Sequence, residues 1–282
     1  MVLESLSSPI RAVNTPWKLF FIGALYSSIA IFLGNWIFRE YSSIISVFLT
    51  SLACVPLLVS TFKAEEEKET HIESEAGILR SHSRIISYMT FLFLGFVFSY
   101  SLWYLLLPAS LVQNLFKAQT LTIQSINMKI TGDFYNVQTL TLIFLNNLKV
   151  LIFCILFAFL YGAGGIFILS WNASVISTAI GNFIRTRLAE KASLFGFSRF
   201  AAYFQIISLG LLRYLTHGIF EMMGYFIGGL AGGIISAAVI KEKFGTRNFE
   251  KVILDTSDLI LIAVLFLIMA ALIEVYITPL LF

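Results

Sequence analysis

Seven of the polar side chains that interrupt the apolar segments of this sequence suit proton relay, ion binding or buried ion pairing: Arg213, His217, Glu221, Glu274, Asn146, Asn147 and Asn172. His217 and Glu221 are four residues apart and Arg213 comes one turn earlier, so a helix places all three on one face. Ionisable groups are costly inside a membrane span, which makes them functional candidates by default. A structural ion pair explains the same residues, and the spacing does not separate the two hypotheses.

Small residues continue along the face that carries Glu221: Gly224, Gly228, Gly232 and Ser236. Such a ridge lets another helix approach closely, either within the subunit or across a homodimer. A second group, Gly162, Gly164 and Gly165, interrupts another apolar run. We expect a broken or re-entrant helix there and a further break near residues 217–218, since broken helices recur at transporter binding sites. Simple packing kinks are the alternative.

Composition identifies the class of protein. The 282 residues are 58% hydrophobic and only 12% charged, and the mean hydropathy is +0.88. Segments 19–38, 41–62, 85–116 and 150–184 contain no Asp, Glu, Lys or Arg, and a span needs about 20 apolar residues. We therefore predict an all-α, polytopic helical protein in the lipid bilayer of the cell membrane, with a cytoplasmic N-terminus.

Several partners and sites are not expected. No basic run is dense enough to indicate nucleic-acid binding. The two cysteines, Cys54 and Cys154, lie in apolar runs, which indicates buried hydrophobic roles and not a disulfide or zinc site. The acidic stretch 63–84 contains His71 and His82, but a solvated loop or short helix explains it better than a metal site. We expect no metal and no cofactor.

Two regions differ in pattern. Residues 1–139 predict three spans, an acidic cytoplasmic loop and a Thr-rich extracellular segment, 113–139, for which a small strand-like cap is slightly preferred over a loose loop. Residues 140–282 predict a composite membrane core with basic connections at 185–199 and 241–251.

The distribution of Lys and Arg bears on the topology. Eight full crossings would leave most of the positive charge outside, against the positive-inside rule. One net crossing over residues 140–184, followed by a return of residues 200–240 to the side they left, gives fourteen positive residues inside and three outside. That arrangement requires a re-entrant or interfacial half-helix near residues 162–165 and places both basic connections in the cytoplasm.

The order of these features resembles the stage II sporulation protein M family over about residues 145–279. The resemblance rests on Asn146-Asn147, the glycines at 162–165, Trp171-Asn172, the His217-Gly218-x-x-Glu221 element, and Glu274 followed by Thr278-Pro279. It implies a membrane protein that acts as an assembly partner for envelope proteins, as the sporulation member does when it holds cell-wall hydrolases during engulfment. It implies no catalytic activity, and it leaves the role of residues 1–139 open.

Three functions compete on these observations. An intramembrane hydrolase is disfavoured, because His217 and Glu221 supply only half of the H-E-x-x-H zinc arrangement. A channel or transporter would use His217, Glu221 and Glu274 as a proton or ion relay. A scaffold, which we slightly prefer, would use the glycine ridge for packing and the buried charges to fix the fold. Detection of an aqueous cavity at the level of Glu221 would distinguish the last two hypotheses.

Overall fold

The computed structural model describes residues 15–69, 75–129, 137–161, 165–191, 196–241 and 246–281. Within these ranges the chain forms helices and no strand. The helices are α1 (Lys18–Ile37), α2 (Ser42–Glu69), α3 (Glu75–Leu106), α4 (Ala109–Leu115), α5 (Lys117–Lys129), α6 (Val137–Tyr161), α7 (Gly165–Glu190), α8 (Gly196–Lys241), α9 (Arg247–Leu272) and α10 (Thr278–Leu281), with a 3₁₀ turn at Arg39–Tyr41 and a π-helix at Ile273–Ile277.

Seven of these described helices are long and apolar enough to cross a membrane: α1, α2, α3, α6, α7, α8 and α9. The exposed surfaces of these helices carry many large apolar side chains, as expected where lipid replaces water. The prediction of an all-α polytopic membrane protein is therefore confirmed.

The first three spans pack closely because small residues lie where α1 and α3 meet. A Cβ atom added at Gly95 would overlap the Phe20 carbonyl oxygen, and one added at Gly23 would lie 2.5 Å from the Leu92 carbonyl oxygen. Ser28 accepts a hydrogen bond from the Trp103 indole at 2.9 Å. This small-residue packing drives association of helices in lipid, where the hydrophobic effect between spans is absent.

Helix α7 joins the two halves of the molecule through buried hydroxyl groups. Ser177 donates to the Val97 carbonyl of α3 at 3.0 Å. Ser174 accepts from the side-chain amide of Gln119 on α5 at 3.1 Å, and the same amide donates to the Ser43 carbonyl of α2 at 3.0 Å. Helix α7 thus holds α2, α3 and α5 together through hydrogen bonds. Polar groups in an apolar medium need such bonds, because no water is present to replace them.

The second half is built around α8. Asn147 of α6 meets Glu221 of α8, and two turns further on Ile155 meets Gly232, so α6 and α8 run parallel. Helix α9 runs antiparallel to α8, with Leu267 packed against Gly224. Of the four predicted packing positions, Gly224 thus contacts α9, whereas Gly228 and Gly232 contact α6. Ser236 is partly buried.

The prediction of a strand-like cap at 113–139 was wrong for the described part of that segment, which forms α4 and α5. The threonines that suggested a strand bond to their own helix: Thr120 donates to the Phe116 carbonyl at 2.9 Å, and Thr122 donates to the Ala118 carbonyl at 2.9 Å. These bonds give the threonine hydroxyl groups acceptors within their own helix. Residues 130–136 lie outside the described residues.

The predicted break near residues 217–218 was also wrong, because α8 continues through them as one helix of 46 residues. Glycine in a helix costs about 1 kcal/mol relative to alanine, and each unsatisfied backbone group in lipid costs several kcal/mol. The helix therefore continues. The predicted break at Gly162, Gly164 and Gly165 falls mostly on residues 162–164, which lie outside the described residues, and the helices on either side are both long enough to span.

A continuous α8 also overturns the topology in which residues 200–240 return to the side they left. The charge count also placed Arg185 in a connecting loop, whereas the structure places it in α7. Its guanidinium donates to the Leu105 and Leu107 carbonyls at the end of α3 and stacks on Tyr104. Arg187 pairs with Glu190 at 3.2 Å, which offsets its charge. Residues 185–190 therefore lie at the end of the bundle opposite to the α2–α3 connection.

This arrangement makes a topology prediction. A cysteine placed at Lys191 should react with an impermeant reagent from one side of the membrane, and a cysteine at Arg247 from the other side, because α8 separates them. A cysteine at Glu40 should behave like that at Lys191. The native cysteines, Cys54 and Cys154, are buried and give the unlabelled background. Labelling of positions 191 and 247 from the same side would contradict a spanning α8.

Two neighbouring glycines of α8 give a matched stability test. A Cβ at Gly232 would overlap the Ile155 carbonyl oxygen, whereas a Cβ at Gly233 would meet nothing within 4 Å. Gly232→Ala should therefore lower the free energy of unfolding by about 1–3 kcal/mol. Gly233→Ala should be neutral or stabilising by up to about 1 kcal/mol. Unfolding in mixed detergent micelles measures both, and equal effects would rule out close packing at Gly232.

Candidate functional site

One cavity of about 300 Å³ collects most of the polar side chains that the sequence singled out. Helix α5 contributes one wall residue, and the rest come from α6, α7, α8 and the π-helix after α9. The polar residues that line it are Asn146, Asn147, Lys149, Asn172, Tyr214, His217, Glu221, Tyr225 and Glu274. Six of the seven predicted polar residues thus meet at one place, although they come from four separate helical segments.

Glu221 is fixed by an amide from the neighbouring helix. The Asn147 side-chain nitrogen donates to one Glu221 oxygen at 2.6 Å, and Asn147 is 6% exposed. A hydrogen bond to a carboxylate is short and strong when it replaces water in an apolar surrounding. Glu221 is thus paired with a polar group of the neighbouring helix α6.

His217 contacts the end of the last span. Its Nδ1 lies 3.4 Å from the Thr278 hydroxyl, which donates to the Ile273 carbonyl at 3.2 Å. The direction of the His217–Thr278 contact depends on which ring nitrogen carries the proton. The imidazole thereby links α8 to the segment that carries Glu274.

Glu274 lies in the π-helix Ile273–Ile277. The widened turn directly precedes Pro279, which lacks an N–H group and crowds the carbonyl four residues before it. The Thr278 backbone N–H reaches back five residues to the Ile273 carbonyl, which satisfies the widened turn. Single π turns are frequent at functional sites.

Arg213 is the predicted residue that does not line the cavity. Its guanidinium lies 5.7 Å from the centre of the Phe183 ring on α7, a cation–π contact. The three residues predicted on one helix face therefore serve different contacts. The side chain of Arg213 contacts α7, whereas His217 and Glu221 line the cavity.

Sequence reasoning missed three cavity residues, Lys149, Tyr214 and Tyr225. Lys149 carried a usable signal, since a single lysine between Leu148 and Val150 in an apolar span is itself an intramembrane ionisable group. The two tyrosines carried none, because buried aromatic residues are common in every span. Among the described residues, no group of three or more His, Cys, Asp or Glu side chains could hold a metal ion.

The sequence profile of stage II sporulation protein M matches residues 85–279, more than two thirds of the chain. The chain belongs to that family. The match begins in α3 and so includes α4 and α5, which extends the resemblance seen from residue 145 onwards. Every residue that lines the cavity lies within the matched range. Neither a curated protein nor a solved structure matches the chain.

The Asn147–Glu221 hydrogen bond gives a prediction for stability. Glu221→Ala and Asn147→Ala should each destabilise the protein, and their effects should not add, with a coupling of about 1–3 kcal/mol. Glu221→Gln should retain most of the stability, because an amide oxygen still accepts the bond. Unfolding free energies of the two single variants and the double variant measure the coupling. Additive effects, as expected for a distant pair, would exclude this bond, and Glu250→Ala at an exposed carboxylate is the control.

Proposed function

We propose that this protein is a channel or transporter that moves protons, alone or with a solute, through the cavity between α6, α7, α8 and the π-helix that follows α9. The observation that carries the proposal is the cavity itself, which brings two carboxyl groups and an imidazole together inside the spans. The cavity supports transport over a purely structural polar centre, and detection of water in it at the level of Glu221 would distinguish the two.

The chemistry of the lining supports proton exchange. Glu221, His217 and Glu274 all take up and release protons, and the Tyr214 and Tyr225 hydroxyl groups lie beside them in the same lining. Charged groups in spans are tolerated where they face a water-filled cavity or one another. Chains of such groups recur in pumps and transporters.

The end of α9 supplies an element that can rearrange. The π turn at Glu274 departs from regular helix, and the side chains of His217 and Thr278 tie it to α8 by a long hydrogen bond. Irregular backbone inside a membrane protein occurs where it lines a cavity, as Glu274 does here.

A scaffold role is the second candidate, and membership of the stage II sporulation protein M family favours it. Such a role would employ the solvent-exposed ends of the bundle to hold envelope proteins or a second copy of the chain. Purification in mild detergent with identification of co-purifying proteins tests this role independently of flux.

The transport proposal predicts a defect in specific variants. In proteoliposomes with an internal pH-sensitive dye, an imposed proton gradient should drive proton entry through the wild-type protein. Glu221→Gln and Glu274→Gln should each reduce that entry about tenfold or more, since an amide does not exchange protons. Glu250→Gln, at an exposed residue near the start of α9, should leave it unchanged.

Folding of each variant is checked by its elution as a single species in detergent. Proton entry no faster than in protein-free liposomes, or unchanged entry in both glutamine variants, would overturn the proposal.

A further inference from the structure

The size of the cavity indicates a molecule larger than an ion. A water molecule in the liquid takes about 30 Å³, so a volume of about 300 Å³ holds about ten waters or a small organic solute. This volume is at the lower end of known ligand pockets. A bare metal ion would instead need several converging ligands, and the described residues contain no such group.

The lining has an apolar side and a polar side. Apolar side chains from α5, α6 and α7 form part of the wall: Ile123, Leu142, Ile143, Leu145, Val150, Val175, Ile176 and Ala179. The carboxyl, amide and imidazole groups form the remainder. A solute that fits such a lining carries both an apolar group and a polar end.

The polar side presents hydrogen-bond acceptors that are not used within the described protein. Asn147 occupies one Glu221 oxygen and leaves the other without a donor among the described residues. The carboxyl group of Glu274 receives no hydrogen bond from a described residue. Asn172 donates its side-chain nitrogen to the Ile168 carbonyl at 2.9 Å, so its oxygen remains available. Unmet acceptors call for a ligand rich in N–H donors.

The charges of the lining indicate the charge of that ligand. Glu221 and Glu274 are acidic, and Lys149, which is exposed at one side of the lining, is basic. Ionisation of both carboxyl groups would exceed the charge of Lys149 by one negative charge, and two close carboxyl groups in an apolar surrounding resist ionising together unless that charge is paired. One positive charge on the solute neutralises it. Arg213 is outside the lining and stacks on Phe183.

We propose that the cavity binds a small primary ammonium ion with a short alkyl group. Its N–H donors meet the Glu221, Glu274 and Asn172 oxygens, and its alkyl group packs on the apolar side. Tyr214 and Tyr225 add aromatic faces of the kind that attract ammonium groups. The proposal rests on the proposed transport function, in that the bound amine is the solute that accompanies the proton.

The test uses the purified full-length chain in detergent, with n-butylammonium chloride as the probe. Titration calorimetry and thermal unfolding should both register binding of n-butylammonium. Neutral n-butanol and anionic butyrate share the alkyl group and should not bind comparably. Affinity should fall roughly fourfold for each methylene removed between butyl- and methylammonium. Equal binding of butanol, or no saturable binding of butylammonium, would overturn the proposal.

Three variants should change the affinity for butylammonium in three different ways. Glu274→Gln should weaken butylammonium binding about tenfold or more, since it removes a charge that pairs with the ammonium group. Lys149→Gln should strengthen binding, because it removes the competing positive charge. Glu250→Gln should have no effect. A general loss of folding cannot strengthen binding, so weakening by Lys149→Gln, or no effect of Glu274→Gln, contradicts the assignment.

The outcomes distinguish this proposal from the proposed function. Butylammonium binding without proton entry in proteoliposomes would overturn transport and leave the binding site standing. Proton entry without butylammonium binding would leave the proton pathway and overturn the amine site. Proton entry that butylammonium stimulates in the wild-type protein, and not in Glu274→Gln, supports both.

Discussion

The contact of Glu221 with Asn147 sets the arrangement of the second half of the molecule. A carboxyl group inside a span needs a polar partner, because lipid supplies none. The short bond from α6 provides it, and it fixes the register of α6 against α8. Two further contacts, at Gly228 and Gly232, follow in the same register, where a side chain would overlap α6. A shift by one turn would leave the carboxyl unpaired and press side chains into backbone.

The first half of the chain depends on a different use of polar groups. Ser28, Ser99 and Trp103 bond to one another between α1 and α3, and Ser177 bonds to the Val97 carbonyl. These groups form hydrogen bonds directly across the helix contacts. Such bonds contribute modestly each, about 0.6 kcal/mol on average in measured membrane proteins, so close packing at small residues carries most of the association. Helix α7 connects these contacts to the cavity, because it carries both Ser177 and the cavity residue Asn172.

Fold class and most site residues followed from the sequence for physical reasons. Long segments without charged residues form helices in lipid, because a helix satisfies all of its own backbone groups. The few polar residues within them need polar neighbours, and Asn147, Glu221 and Glu274 accordingly line one cavity. The continuity of α8 could not be predicted from the sequence. Gly218 favours a break locally, and the packing that keeps the helix intact is not visible in the sequence. The role of Arg185 as a cap on α3 was hidden for the same reason, since its acceptors lie about 80 residues away. The function of these residues remains a prediction.

Polar groups that serve structure and polar groups that serve a ligand differ in how completely the protein satisfies them. Ser177 is buried and has its acceptor within the bundle. Glu274 lies at a widened helical turn, lines the cavity and has no donor among the described residues. Evolution could remove that cost with an apolar side chain of similar size, since a buried charge is a weak source of stability. A carboxyl group beside an open volume that receives no hydrogen bond from a described residue is therefore better explained by something that enters the volume than by the needs of folding.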